Sequence, residues 1–451
     1  MDKSEVREEV LSLFRGEHWD ALDGLLEEMA VQDIAETMTE LETGEAKSFL
    51  LRLPRDRQPP VFAYLSPTLQ EELLTALDEE DARFILYHML PDDRTALLER
   101  QDPEELQNLL KLLSPENVKE ALRLLGFPEE SAGRIMTPKF LTVRVGWTVE
   151  QALNHLRSRS EAGETLNVVF VTDVRGALLG RVRLRDFVLC RPDRRIEEVM
   201  KDDPVKILVS EDREEAARLM KHYDLEVLPV VDATGVLLGI VTVDDVIDVV
   251  EEEATEDFHK MASVNTLNLS LKEARPSLLY RKRIGWLVLL VFMNAFGSVA
   301  IAYFEETIEA VVALVFLLPL IVASGGNAGS QSATLMVRAL ATGDVQMKDW
   351  LRLWGKELGV AAALGLTMAA AVSLVGVWRG GTELAVIVSS AMVCVVITGS
   401  MIGMLLPFVL TRFKLDPATA SAPLVTSIAD FFGIVIYFSI ATALLNLPGW
   451  G

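Results

Sequence analysis

The hydrophobic positions of this chain follow three different rhythms. Up to residue 128 they recur at helical spacing in short segments such as "LQEELLTAL" and "PEELQNLLKLL", which predicts helices with one buried stripe each. Pro67, Pro91 and Pro115 return every 24 residues, each followed by acidic or polar residues. Proline lacks the amide hydrogen that the first turn of a helix leaves unpaired, so each reads as a helix start. Repetition at a fixed period predicts helix pairs stacked as a small superhelix, an all-α domain over residues 1–128. Its expected role is an interaction or regulatory surface.

Residues 129–250 change to short strand-like runs with a period near 60. "NVVFVTDVRGALLGRV", Asn167 to Val182, returns as "EVLPVVDATGVLLGIV", Glu226 to Val241, and Met136-Thr137-Pro138 returns as Val199-Met200 before "KDDP". Each unit reads as helix, strand, Asp-x-x-Gly turn, strand and helix, a tandem α/β module. Eight carboxylates then fall between Asp244 and Asp257, interleaved with Val246, Ile247, Val249 and Val250. They predict an acidic helix over residues 251–275, starting near 244, that leads into the membrane half. Its charges would repel neighbouring carboxylates unless cations bound between them. That is a switch in outline: scarce cation lets the surfaces part, abundant cation clamps them.

From residue 276 onward the apolar runs are too long and too closely spaced for a soluble core. Five spans are expected, at Ile284–Phe304, Ile308–Val337, Leu353–Val377, Leu384–Leu410 and Pro423–Leu447, each long enough to cross a bilayer. Charge divides the same way. Residues 1–270 carry 31 Lys/Arg against 56 Asp/Glu, and residues 271–451 carry 12 against 10. Basic residues before the first span (Arg275, Arg281, Lys282, Arg283), between the second and third (Arg338, Lys348, Arg352) and between the fourth and fifth (Arg412, Lys414) place those flanks inside. The expected location is the cell (inner) membrane, with the regulatory domains cytoplasmic and the C-terminus outside. Trp286, Trp350, Trp354, Trp378 and Trp450 fall near span ends, where indole rings anchor at the interface. The chain opens on the charged "MDKSEVREEV", with no sign of a secretory signal.

Within this apolar half, Asp430 is the acidic residue placed deepest in a span. A carboxylate at membrane depth marks a functional site by default, and the span interiors offer no basic partner. The second span carries Pro319 and "ASGGNAGSQSAT", Ala323 to Thr334, with two readings: close helix contact by small residues, or amides facing a wet cavity. With Thr398, Gly399, Ser400, Gly403 and Pro407 of the fourth span and Ser421 and Thr426 of the fifth, a polar pathway between the second, fourth and fifth helices is expected. Mg²⁺ suits it, because a hard ion that keeps its water is held by carboxylate, amide and hydroxyl oxygens. The lack of intramembrane cations disfavours anions. Cys190 and Cys394 make no disulfide framework, the five histidines show no zinc spacing, and no nucleophile–base pair points to an enzyme. Nucleic acid is not expected as a partner.

The tandem α/β module resembles a pair of cystathionine-beta-synthase-type (CBS) repeats, a Bateman module. The resemblance implies adenine-nucleotide binding through a T-x-x-D signature, matched by Thr242 and Asp245 in the second repeat; in the first, Arg183 replaces Thr beside Asp186. The whole chain resembles the MgtE magnesium transporter family, most specifically in Pro319 with "SGGNAGSQS" and in "SAPLVTSIADFFG". That resemblance implies a multidomain membrane protein with an all-α cytoplasmic repeat domain, a tandem CBS module (129–250), an acidic connecting helix and a five-helix transmembrane domain (276–451). It also implies a homodimeric Mg²⁺ channel with its pore at the subunit interface, Asp430 as the main ion-coordinating carboxylate, closure by cytoplasmic Mg²⁺, and modulation by ATP. Asn327 and Gln331 are further candidates for the pore wall and Asp416 for the receiving end. For sensing, the candidates are Asp93, Glu214, Asp224, Asp245, Asp248, Glu251, Glu256 and Asp257. The alternative is a secondary divalent-cation transporter coupled to another ion.

Overall fold

The computed structural model describes residues 3–445 apart from 160–162, 268–270 and 272–273. Two compact units are formed, Met1–Glu252 and Glu253–Gly451.

In the first unit the repeating prolines open helices, at Pro67–Ala76, Pro91–Glu99 and Pro115–Leu125. Ser66 and Ser114 cap two of them, their hydroxyls accepting from the amides of Leu69 (3.4 Å) and Asn117 (3.2 Å). This satisfies donors that a bare helix start leaves unpaired. Each 24-residue repeat holds two helices, and a helix packs on the one two places further along: Glu79–His88 on Pro103–Leu112, and Pro91–Glu99 on Pro115–Leu125. One continuous apolar core runs from Val10 to Ala121.

The α/β repeats follow. Strands β1 (Thr142–Arg144), β2 (Val168–Thr172), β3 (Leu178–Arg183) and β4 (Lys201–Asp202) form one sheet in that order, and β5 (Ile207–Leu208), β6 (Val227–Val231) and β7 (Leu237–Thr242) a second. In both, a parallel strand pair precedes an antiparallel hairpin. The hairpins turn at Gly176 and Gly235, with φ of +87° and +84°, a conformation that favours glycine. Asp173 Oδ1 accepts from the amides of Arg175 and Ala177, both at 2.8 Å, and Asp232 Oδ1 from those of Thr234 (2.8 Å) and Val236 (2.9 Å). The Asp-x-x-Gly pattern is therefore a self-bonded turn. Val168 and Phe170 pack with Val227, Val231 and Ile240, so the two sheets share a core.

The acidic helix runs from Val243 to Met261 and ends earlier than the expected 275. Ser263 has a left-handed φ of +56°, and the Val264 amide donates back to the His259 carbonyl at 2.9 Å, a helix stop. The next helix begins at Pro276.

In the second unit, five helices among the described residues are long and apolar enough to cross a membrane: Pro276–Tyr303, Ala313–Ala341, Met347–Arg379, Gly381–Arg412 and Ala422–Leu444, hereafter the first to fifth spans. The third and fourth reverse at Gly381, φ +77°, and then run side by side, with Gly376 against Ala385, Gly365 against Val393, and Ser389 Oγ donating to the Ala369 carbonyl at 3.2 Å. The expected last residues of the fifth span, 446 and 447, and Trp450 lie outside the described residues.

Candidate functional site

The second span has three working faces. Gly325 and Gly329 form one. A Cβ at Gly399 of the fourth span would fall on the Gly325 carbonyl oxygen, and one at Gly403 on that of Gly329. Two small-x-x-x-small pairs thus cross backbone to backbone. Gly399 and Gly403 serve this contact, which corrects the expectation that they line a polar pathway. Ser400 is likewise buried, with its hydroxyl 2.7 Å from Glu357 Oε1 of the third span.

A second face meets the fifth span. Ser330 Oγ lies 3.0 Å from Thr426 Oγ1 and 3.3 Å from the Ala422 carbonyl. One turn earlier, a Cβ on Gly326 would stand 2.8 Å from Thr426 Cγ2 and 3.2 Å from Asp430 Oδ1, so the glycine makes the room in which the carboxylate sits. Asp430 Oδ1 is buried and has no hydrogen-bond partner among the described residues. It stands eight residues into its helix, about 12 Å along the axis. Asn327 and Gln331 form the third face with Ala323 and Thr334, all exposed on a single chain. The small-residue contact therefore holds on one side of the helix, and the amides lie on the opposite side. Asp416 opens the turn before the fifth span; its Oδ1 accepts from the Ala418 amide at 2.8 Å and its Oδ2 is 2.6 Å from Lys260 Nζ.

In the first unit, ligand oxygens of Asp92, Glu164 and Asp245 all lie within 4.8 Å of one another. Asp92 Oδ1 and Glu164 Oε2 are buried without a hydrogen-bond partner among the described residues, while Asp245 Oδ2 accepts from the Thr242 hydroxyl at 2.6 Å. Burial, reinforced by the neighbouring carboxylates, pushes Glu164 up to about 7 and raises Asp92 and Asp245 well above the carboxylate range. Unsatisfied, clustered carboxylate oxygens are the donor set of a hard divalent ion, so the residues present fit one. Asp93, one residue on, turns instead toward Asp248 and Asp244; burial first and those two charges second push it up to about 6. Asp257 is also raised to about 6, by burial and then by Asp416, with Lys260 opposing.

Other candidates stand apart. Glu214 is in the first turn of the helix Arg213–Tyr223 and Asp224 is its left-handed C-cap, about 15 Å away along the axis, so one ion cannot take both from the same chain. Glu251 is exposed; burial first and the Glu251 charge second raise the Asp248 carboxyl. Arg183 and Asp186 flank the end of β3 and the start of the next helix, with no hydrogen bond between them among the described residues. Asp92, Glu164, Glu357 and Lys260 were missed from sequence. Asp92 adjoins a named candidate; Glu164 sits in a connection with no periodicity to signal it.

Together these features define a five-span membrane protein that carries acidic, CBS-containing domains. The family described as "Divalent cation transporter" (MgtE) matches residues 318–440, the MgtE intracellular N domain matches 29–130, and the CBS domain matches 132–192 and 196–252. A magnesium transporter of Thermus thermophilus, MgtE, is 41% identical over 94% of this chain and 95% of its own, and one of Bacillus subtilis is 32% identical over 94% and 93%. Among solved structures, the cytosolic domain of the Mg²⁺ channel MgtE in complex with ATP is 38% identical (TM-score 0.51; 53% of this chain, 99% of that one). The soluble part of a magnesium transporter is 27% identical (TM-score 0.53; 56% and 100%). The chain belongs to the MgtE family.

Proposed function

We propose that this protein is a homodimeric, Mg²⁺-selective channel for magnesium uptake across the cell membrane, closed when cytoplasmic Mg²⁺ binds its acidic domains. The observation that carries the reading is the unpartnered Asp430 oxygen, set against Gly326 among apolar helices. An ionised carboxylate there needs water or a cation. Mg²⁺ retaining its hydration shell supplies both, and a ligand reached through water lets the ion leave again.

The exposed Asn327 and Gln331 support a dimer. Amides facing lipid are costly, and a second copy laid on that face turns them toward a shared pore, with Asp416 at its inner end. Closure is read from the carboxylate groups: Asp92, Glu164 and Asp245 first, Asp93 with Asp248 second, and Glu256 and Asp257 near the pore entry. A bound cation relieves their mutual repulsion and so favours the arrangement that gathers them. The basic span flanks support a cytoplasmic first unit. ATP modulation draws support from the ATP-bound relative and from the Thr242–Asp245 pair, whose carboxylate also belongs to the proposed metal group.

The test is Mg²⁺ influx into liposomes holding the full chain, with Mg²⁺ varied on the side of the soluble domains. Flux that falls as that concentration rises is expected. Flux that ignores it removes the switch and keeps the pathway; no flux from folded protein removes the pathway.

A further inference from the structure

The end of the acidic helix is fastened to the start of the fifth span by three contacts within the second unit. Lys260, in the last turn, is ion-paired with Glu256 one turn earlier and with Asp416 Oδ2 at 2.6 Å. Ser263 Oγ lies 2.6 Å from Ser421 Oγ, both residues buried. Met261 packs on Val337 of the second span and on Ala418 and Ala420. Each partner is structural in its own right: Asp416 Oδ1 caps the turn Pro417–Thr419, and the Ser421 hydroxyl accepts from the Leu424 amide at 3.4 Å to cap the fifth span. Asp430 lies nine residues beyond Ser421 on the same helix.

The charges at this junction are lopsided. Glu256 and Asp416 pair with one ammonium group, and the Asp257 carboxylate lies close enough to feel the charges of both Asp416 and Lys260. Lysine has three rotatable donors on a flexible stem and serves several oxygens at once. Removing the Lys260 ammonium from between Glu256 and Asp416 leaves repulsion where there was a charge-assisted bond.

We propose that Lys260 is a tethered cation that docks the acidic helix on the entry of the fifth span with no divalent ion present. The proposal deepens the reading of that helix as a gate: the junction holds by a cation the chain carries itself, and Mg²⁺ acts on top of a contact already made. Lys260 is thus a positioning residue, acting on the pore through Asp416 and Ser421.

The test uses the full chain in liposomes, with Cys190 and Cys394 replaced by alanine and the pair Ser263→Cys and Ser421→Cys introduced. Disulfide formation is timed under mild oxidation in EDTA. Fast cross-linking is expected with Lys260, at least about tenfold slower with Lys260→Gln, and within about threefold of the parent with Lys260→Arg. Equal rates in the Lys260 and Lys260→Gln proteins overturn the proposal, and so does an Arg variant as slow as the Gln one. Should Lys260→Gln not fold, Asp416→Asn removes the same pair from the other side and is expected to slow cross-linking likewise; an unchanged rate overturns the proposal. Because the readout is a cross-link, it stands whether or not Mg²⁺ closes the channel, and the failure of gating shows separately in the parent's flux.

Discussion

Each compact unit leaves buried carboxylate oxygens without a hydrogen bond, and the two settings differ in company. In the soluble unit, Asp92 and Glu164 share their space with Asp245. In the membrane unit, Asp430 is alone, bordered by a glycine and a threonine methyl. Three carboxylates converging within a few ångströms repel one another until a cation arrives, which suits a site that must hold an ion and report it. One carboxylate beside a glycine and a threonine offers fewer ligands and a weaker grip, which on the proposed function suits a site that must release what it takes. On the proposed function, the same chemical group would serve retention in one place and passage in the other, with the number of neighbours deciding which.

The comparison breaks first at Asp430. Asp430→Ala is expected to lower Mg²⁺ flux by at least about tenfold, with the protein eluting like the parent by size-exclusion chromatography; undiminished flux would show that the lone carboxylate does not serve passage. Gly399→Val separates packing from chemistry. The valine would press on the Gly325 carbonyl, and overpacking of roughly 1–3 kcal/mol or more should lower the melting temperature of the membrane unit; a melting curve like the parent's would contradict the backbone contact.

The retaining site is sharpened by Glu164→Gln. Relief of repulsion of about 1 kcal/mol should raise the Mg²⁺-free melting temperature of the soluble unit by roughly 2–4 °C while shrinking the protection from proteolysis that Mg²⁺ confers. A lower melting temperature without Mg²⁺ would mean that Glu164 makes a favourable contact there. The smallest effect is on pH. Glu164 titrates near 7 and Asp93 near 6 when folded, against about 4 unfolded, so the folded state holds protons that the unfolded state has released. Below about pH 4 these groups carry no penalty; it grows as pH rises and is complete above about 7. The Mg²⁺-free soluble unit should therefore lose stability between those limits, and saturating Mg²⁺ should flatten the loss.

Much of this was legible in the sequence. Prolines at a 24-residue period open helices because the first turn tolerates them, the Asp-x-x-Gly turns close on their own carboxylates, and the apolar runs are spans because of their length. Asp430 stood out because a membrane interior tolerates few charges. What escaped depended on rotation or distance. Asp92 and Asp93 are adjacent, yet one residue on a helix turns the side chain by about 100°, and they join different groups. The segment at Ala323–Thr334 mixed two faces that a linear reading superimposes. Glu357 meets Ser400 across 43 positions of chain, with no local pattern to mark it. Lys260 meets Asp416 across 156 positions of chain, a pairing no local pattern announces.

The crossing of Gly325 and Gly329 with Gly399 and Gly403 has a mechanical consequence. Side-chain contacts can slide, since rotamers exchange and leave the backbone where it was. Carbonyls seated directly on glycine Cα atoms have no such slack, so the second and fourth spans behave as one stiff beam. On the proposed function, whatever widens a pathway beside Asp430 would be taken up on the opposite edge, where Ser330 and Thr426 meet through hydroxyls that can let go and re-form a turn away.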